Sequence, residues 1–67
     1  MTSSYAVQPA NWDRYDEHGA DHTATLDDAC RIARAWIALG ENEGENMMVW
    51  RLWPCGNPMA WMPVYAN

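Results

Sequence analysis

The stretch from Thr25 to Gly40, TLDDACRIARAWIALG, decides the fold. At about 100° per residue, Leu26, Ala29, Cys30, Ile32, Ala33, Trp36, Ile37 and Leu39 share one side of a helix. Asp27, Asp28, Arg31, Arg34, Ala35 and Ala38 share the other. Thr25 is a good N-cap, because its hydroxyl accepts from an orphan N–H of the first turn. Asp27 and Asp28 meet the positive end of the helix dipole. Gly40 supplies the left-handed stop. Period, start and stop agree, so the pattern predicts a helix over residues 26–39 whose apolar side needs a second layer. Asp27 with Arg31 (i, i+4) and Asp28 with Arg31 (i, i+3) largely neutralise its outer face.

That second layer lies downstream. Residues 46–65 read as a β-hairpin, with strands Met47–Trp53 and Met59–Tyr65 around the turn Pro54-Cys55-Gly56-Asn57-Pro58. Alternation predicts Met48, Trp50, Leu52, Ala60, Met62 and Val64 toward the helix. Met47, Val49, Arg51, Trp53, Trp61 and Tyr65 would then face away. That far face is apolar except for Arg51, so it needs cover from the N-terminal segment, a second copy or a partner. Pro63 cannot donate to a ladder, which makes its strand an edge or a bulged one.

Upstream, residues 4–8 form a short strand closed by Pro9. Residues 10–24, ANWDRYDEHGADHTA, read as a long polar connection anchored by Trp12 and Tyr15. The expectation is an α+β domain over residues 1–67, β-α-β-β, with one helix on a three-stranded, mainly antiparallel sheet. The place of the first strand stays open. Trp36 and Trp50 are expected in the core.

A chain of 67 residues buries only about 60% of its unfolded surface, so it depends on large side chains. Five Trp, three Tyr and five Met, with 49% hydrophobic residues, supply them and exclude a disordered acidic tail. Cys30 falls at the edge of the helix's apolar side and reads as a small buried hydrophobe; Cys55 falls in the turn. Two cysteines without a C-x-x-C spacing read as reduced thiols of a cytosolic protein. No basic segment followed by an apolar run opens the sequence, and no apolar stretch is long enough to span a bilayer.

Charge narrows the function. The chain has no lysine, four arginines and nine carboxylates, for a net charge of −5. Asp13, Asp16, Glu17, Asp21, Asp27 and Asp28 precede or open the helix, and Glu41, Glu43 and Glu45 follow it. Such a chain repels nucleic acid and anionic membranes and attracts a basic surface. There is no phosphate-binding glycine loop and no basic patch. His18 and His22 have a zinc-like spacing, but Gly19 and the polar context place them in a loop without a third ligand. Neither cysteine has a base nearby in sequence. Paired carboxylates such as Asp16 and Glu17 would need a desolvated pocket to act as acid and base. A non-enzymatic protein without metal or cofactor is expected.

Asp27 and Asp28 are explained by capping. Glu41, Glu43 and Glu45 are not, since they meet the negative end of the dipole at a cost of about 0.3–1 kcal/mol when close. The helix is about 20 Å long at 1.5 Å per residue. Acidic clusters at its two ends would flank about six phosphates of a DNA strand at roughly 3.4 Å each. The candidate partner-binding residues are therefore Asp13, Asp16, Glu17, Asp21, Glu41, Glu43 and Glu45.

With its small size, the acidic runs WDRYDEHGAD and ENEGE, the helix TLDDACRIARAWIALG and the hairpin MMVWRLWPCGNPMAWMPVY, the chain resembles the small phage-encoded anti-CRISPR proteins. The likeness is to a DNA-mimic inhibitor of a type I-C system in particular. The resemblance implies a protein of the host bacterial cytoplasm, monomer or weak dimer. It implies binding to the DNA-recognition surface of a surveillance complex, on the Cas8-type subunit that reads the PAM. The residues alone imply an acidic ligand for a basic DNA-binding protein. The alternative is a small phage structural or assembly module that dimerises through the aromatic hairpin face.

Overall fold

The computed structural model describes residues 4–40 and 45–66. The elements are β1 (Tyr5–Pro9), β2 (Asp21–Thr23), α1 (Leu26–Leu39), β3 (Met47–Arg51) and β4 (Met59–Val64). The class is α+β as expected, but the sheet has four strands in the order β2-β1-β3-β4, all neighbours antiparallel. The connection over residues 10–24 thus ends in a strand, where His22 pairs with Ala6 and Asp21 with Val7. The first strand, left unplaced by the sequence, is central. It separates β2 and β3, which run parallel to each other on either side of it.

Helix α1 forms as its sequence dictates. The Thr25 hydroxyl accepts from the Asp28 N–H at 3.2 Å, and Gly40 sits at φ 67° with its N–H on the Ile37 carbonyl. Arg31 pairs with Asp28 at 3.4 Å across the exposed face. Ala29 and Ala33 are fully buried and bring the helix close to the sheet, where they meet Val7, Met47 and Val49. Leu26, Ile32, Trp36, Ile37, Tyr5, Met62 and Val64 close around this core. Burying a Val or Met side chain contributes about 1.5–3 kcal/mol, so Val7, Met47 and Val49 supply much of the stability.

The hairpin faces differ from expectation. Met47 and Val49 point at the helix, so Met48 and Trp50 point away. Met62 and Val64 pack on the core as predicted, but Ala60 pairs with Trp50 on the far face. The cause is a register shift between Val49 and Trp50, where β4 carries one extra residue. A bulge inverts the phase of alternation along its strand, so a strict period of two fails. Strand β4 is both an edge and bulged, which accommodates Pro63.

Of the three covers available for the far face, the N-terminal connection provides one. Residues 10–20 fold over Gln8 and Trp50, with the Tyr15 ring 6.0 Å from that of Trp50. Trp50 is therefore half-buried under a loop rather than in the helix-side core. Both cysteines are free, Cys30 half-buried and Cys55 exposed. Among the described residues no helix is long and apolar enough to cross a membrane.

Candidate functional site: an ordered acidic loop

The loop over residues 10–20 is polar in sequence, yet a fully buried side chain organises it. Gln8, with no exposed surface, donates from Nε2 to the Arg14 carbonyl at 2.9 Å and accepts the Asp16 N–H on Oε1 at 3.0 Å. One amide thereby satisfies a donor and an acceptor of the loop, as a buried polar group must. Asp16 then closes a turn: its Oδ1 accepts the His18 N–H at 3.0 Å, and its carbonyl accepts from Gly19 and Ala20. The Trp12 ring lies so close over Gly19 that a Cβ there would come within 2.9 Å of it. Trp12 thus pins the loop to itself, whereas Tyr15 pins it to the sheet. The Tyr15 hydroxyl is 2.5 Å from His22 Nε2, and the rings meet edge to face. Burial, with Glu17 and Asp16 nearby, pushes the Tyr15 hydroxyl above its usual pKa, which keeps it a neutral hydrogen-bonding group.

The seven predicted site residues separate into groups. Asp13 and Glu17 are exposed on the loop, and the Glu17 carboxylate lies 3.6 Å from the His18 imidazole. Asp16 is exposed but spends one carboxylate oxygen on the turn. Asp21 accepts the Trp36 indole N–H on Oδ2 at 2.7 Å, so it ties β2 to α1. Glu45 is exposed. Glu41 and Glu43 lie outside the described residues.

Among the described residues, Glu45 does not sit across the helix from the acidic loop. Pro9 is opposite Met47, and the Ala10 N–H bonds the Asn46 carbonyl at 2.9 Å. The start of the acidic loop and the segment carrying Glu45 therefore emerge side by side at one end of the sheet. Among the described residues, Glu45 thus adjoins the start of the acidic loop rather than lying a helix length away from it. Sequence reasoning missed this because it placed the first strand nowhere; the adjacency follows from β1 lying between β2 and β3.

Trp12 borders this end with 38% of its surface exposed. Asn11 through Glu17 line an open recess rather than an enclosed cavity. An open recess leaves its carboxylates exposed to solvent. Among the described residues no group of three potential metal ligands gathers. His22 is engaged with Tyr15, and His18 with Glu17. Chelator treatment should therefore leave the melting temperature unchanged, as thermal unfolding with and without EDTA will test.

Compared with known protein families, curated proteins and solved structures, the chain has no match.

Proposed function

We propose that this protein is an acidic, DNA-mimicking inhibitor. In this reading its ordered loop occupies the Lys/Arg surface with which a DNA-binding protein holds phosphates. The observation that carries the reading is that Gln8 fixes a loop bearing Asp13, Asp16 and Glu17 beside Glu45, with Arg14 the only arginine in that loop. Carboxylates held in place lose little entropy on binding, so they compete better than a flexible acidic tail. The resemblance to small anti-CRISPR proteins nominates the target: the DNA-recognition surface of a type I surveillance complex, on its Cas8-type subunit. The action would be exclusion of target DNA, without catalysis.

Asp13→Lys and Glu17→Lys should each weaken binding to that complex by roughly tenfold, with the melting temperature unchanged. Asp21→Lys should instead lower the melting temperature, because it removes the acceptor of the Trp36 indole. Target DNA with the recognition motif should compete with the protein for one site, and rising salt should weaken the complex. Simultaneous, independent binding of protein and DNA would reject the proposal.

A further inference from the structure

Arg51 ends β3 at a point where three aromatic rings converge. Its guanidinium carbon lies 4.8 Å from the Tyr5 ring centre, 5.6 Å from that of Trp53 and 6.0 Å from that of Trp61. The rings come from three segments. Tyr5 is opposite Arg51 in the β1–β3 pairing, Trp53 stands just beyond β3, and Trp61 belongs to β4. Trp61 is the extra residue of the β4 bulge: Ala60 and Met62 have partners on β3, and Trp61 has none. Bulges re-aim side chains, and this one brings Trp61 to the guanidinium. The side chain so held leaves its donors unused. Among the described residues the ion pairs are Glu17 with His18 and Asp28 with Arg31, and no side-chain hydrogen bond ends on Arg51. Its nitrogens reach solvent, since Trp50 Nε1 is the buried side-chain polar atom left without a partner among those residues. The chain has nine carboxylates for four arginines, yet this half-buried arginine is held by rings rather than by a carboxylate.

We infer that Arg51, Trp53 and Trp61 form a site for a small aromatic anion, whose carboxylate or phosphate meets the guanidinium while its ring lies against the indoles. A guanidinium is planar and offers paired N–H donors that match two oxygens of either group. Ordering an arginine is costly on binding, and here the rings hold it before a ligand arrives. Trp53 and Trp61 keep 39% and 47% of their surfaces exposed, so both have ring surface to offer. Beside them the hairpin turn forms an open recess lined by Trp53, Pro54, Cys55, Gly56, Asn57 and Met59, none of them charged. Met59 is opposite Arg51 in the β3–β4 pairing, so recess and guanidinium adjoin. Charge selects the occupant. A cationic ligand would meet Arg51 among the rings, and a neutral one would leave the guanidinium without an acceptor. Residues 52–66 contain no carboxylate that could take the anion's place from within the hairpin. One guanidinium and two indoles match one anionic group on one ring system, the size of a nucleotide or an aromatic acid. The site shares no residue with the acidic loop, so this inference does not depend on the acidic-site reading.

The test is an NMR titration of the full chain in about 0.15 M salt, which screens long-range repulsion from its net charge. The probes are adenosine monophosphate and indoleacetate, their neutral counterparts adenosine and indoleacetamide, and the ringless anions phosphate and acetate. At least one of the two aromatic anions should shift the indole N–H signals of Trp53 and Trp61, with a Kd below about 1 mM. Its neutral counterpart and its ringless anion should each bind about tenfold more weakly. Binding of the nucleotide alone marks a phosphate ester as the ligand, and binding of indoleacetate alone a carboxylic acid. Arg51→Gln should abolish the preference for the anion over its neutral counterpart. If Arg51→Gln loses its helical circular dichroism, Arg51→Lys, which keeps the charge but not the paired donors, should narrow that preference. The inference is overturned if neither aromatic anion shifts the two indole signals, if the neutral counterpart binds as tightly as the anion, or if a folded Arg51 variant discriminates as the wild type does.

Discussion

Trp36→Ala is expected to leave much of the protein unfolded at room temperature. Truncating a packed Trp costs about 3–5 kcal/mol, and half-burial places this one at the lower end of that range. A domain of this length has roughly 3–10 kcal/mol in total. The ring packs against the buried core, and its N–H reaches the Asp21 carboxylate at 2.7 Å. The two contributions separate experimentally. Trp36→Phe keeps most of the packing and loses only the hydrogen bond, so it should cost about 1–2 kcal/mol. Denaturant unfolding of both variants reads the difference. A Trp36→Ala protein with a wild-type midpoint would show that the helix does not rest on this residue.

Gln8 should be the second most sensitive position, and for a different reason. Its side chain is fully buried and bonds the backbone at two loop residues. Gln8→Ala removes both bonds and opens a gap beneath the loop, at about 2–4 kcal/mol. Amide exchange should quicken across residues 10–16 before it quickens in the helix. Binding to a basic partner should weaken with every carboxylate still in the chain. Gln8→Glu should be worse at neutral pH. It leaves the Arg14 carbonyl without its donor and buries a charge under an acidic loop. Burial raises that carboxyl's folded pKa above its unfolded value near 4.3. The penalty is therefore present above the raised pKa and relieved as pH falls through it. Equal destabilisation by Gln8→Glu at pH 7 and pH 4 would contradict this picture.

These two positions mark what the sequence does and does not reveal. Helix α1 is legible to the residue, because Thr25, the apolar period and Gly40 agree independently. Met62 and Val64 are assigned correctly for the same kind of reason. Strand β2 is not legible: Asp21-His22-Thr23 is too short and polar to alternate, and it exists only because β1 has a free edge. The phase of β3 is lost because both hairpin faces are apolar and a bulge shifts the register. Gln8 gives no signal at all, since one amide in a strand looks like any solvent-facing polar residue. For the acidic loop, its composition is readable, and so is the exposure of Asp13 and Glu17. That Asp21 serves Trp36, and that Glu45 adjoins the loop, depends on topology.

The central place of β1 also bears on how the chain folds. Its near neighbour β2 follows after residues 10–20, but its other partner is far along the chain: Tyr5 waits for Arg51, and Val7 for Val49. Pairing so remote in sequence must close a large loop before any of its contacts form, which slows folding. As the chain leaves the ribosome, the β1–β2 pair and the helix emerge first, with Val7, Ala29 and Ala33 facing no Met47 or Val49. Stable structure then awaits the last third of the sequence. Removing residues from β3 onward should therefore abolish the whole fold rather than trim it, and the nascent amino-terminal half is the stage at which this protein is most exposed to chaperones and proteases.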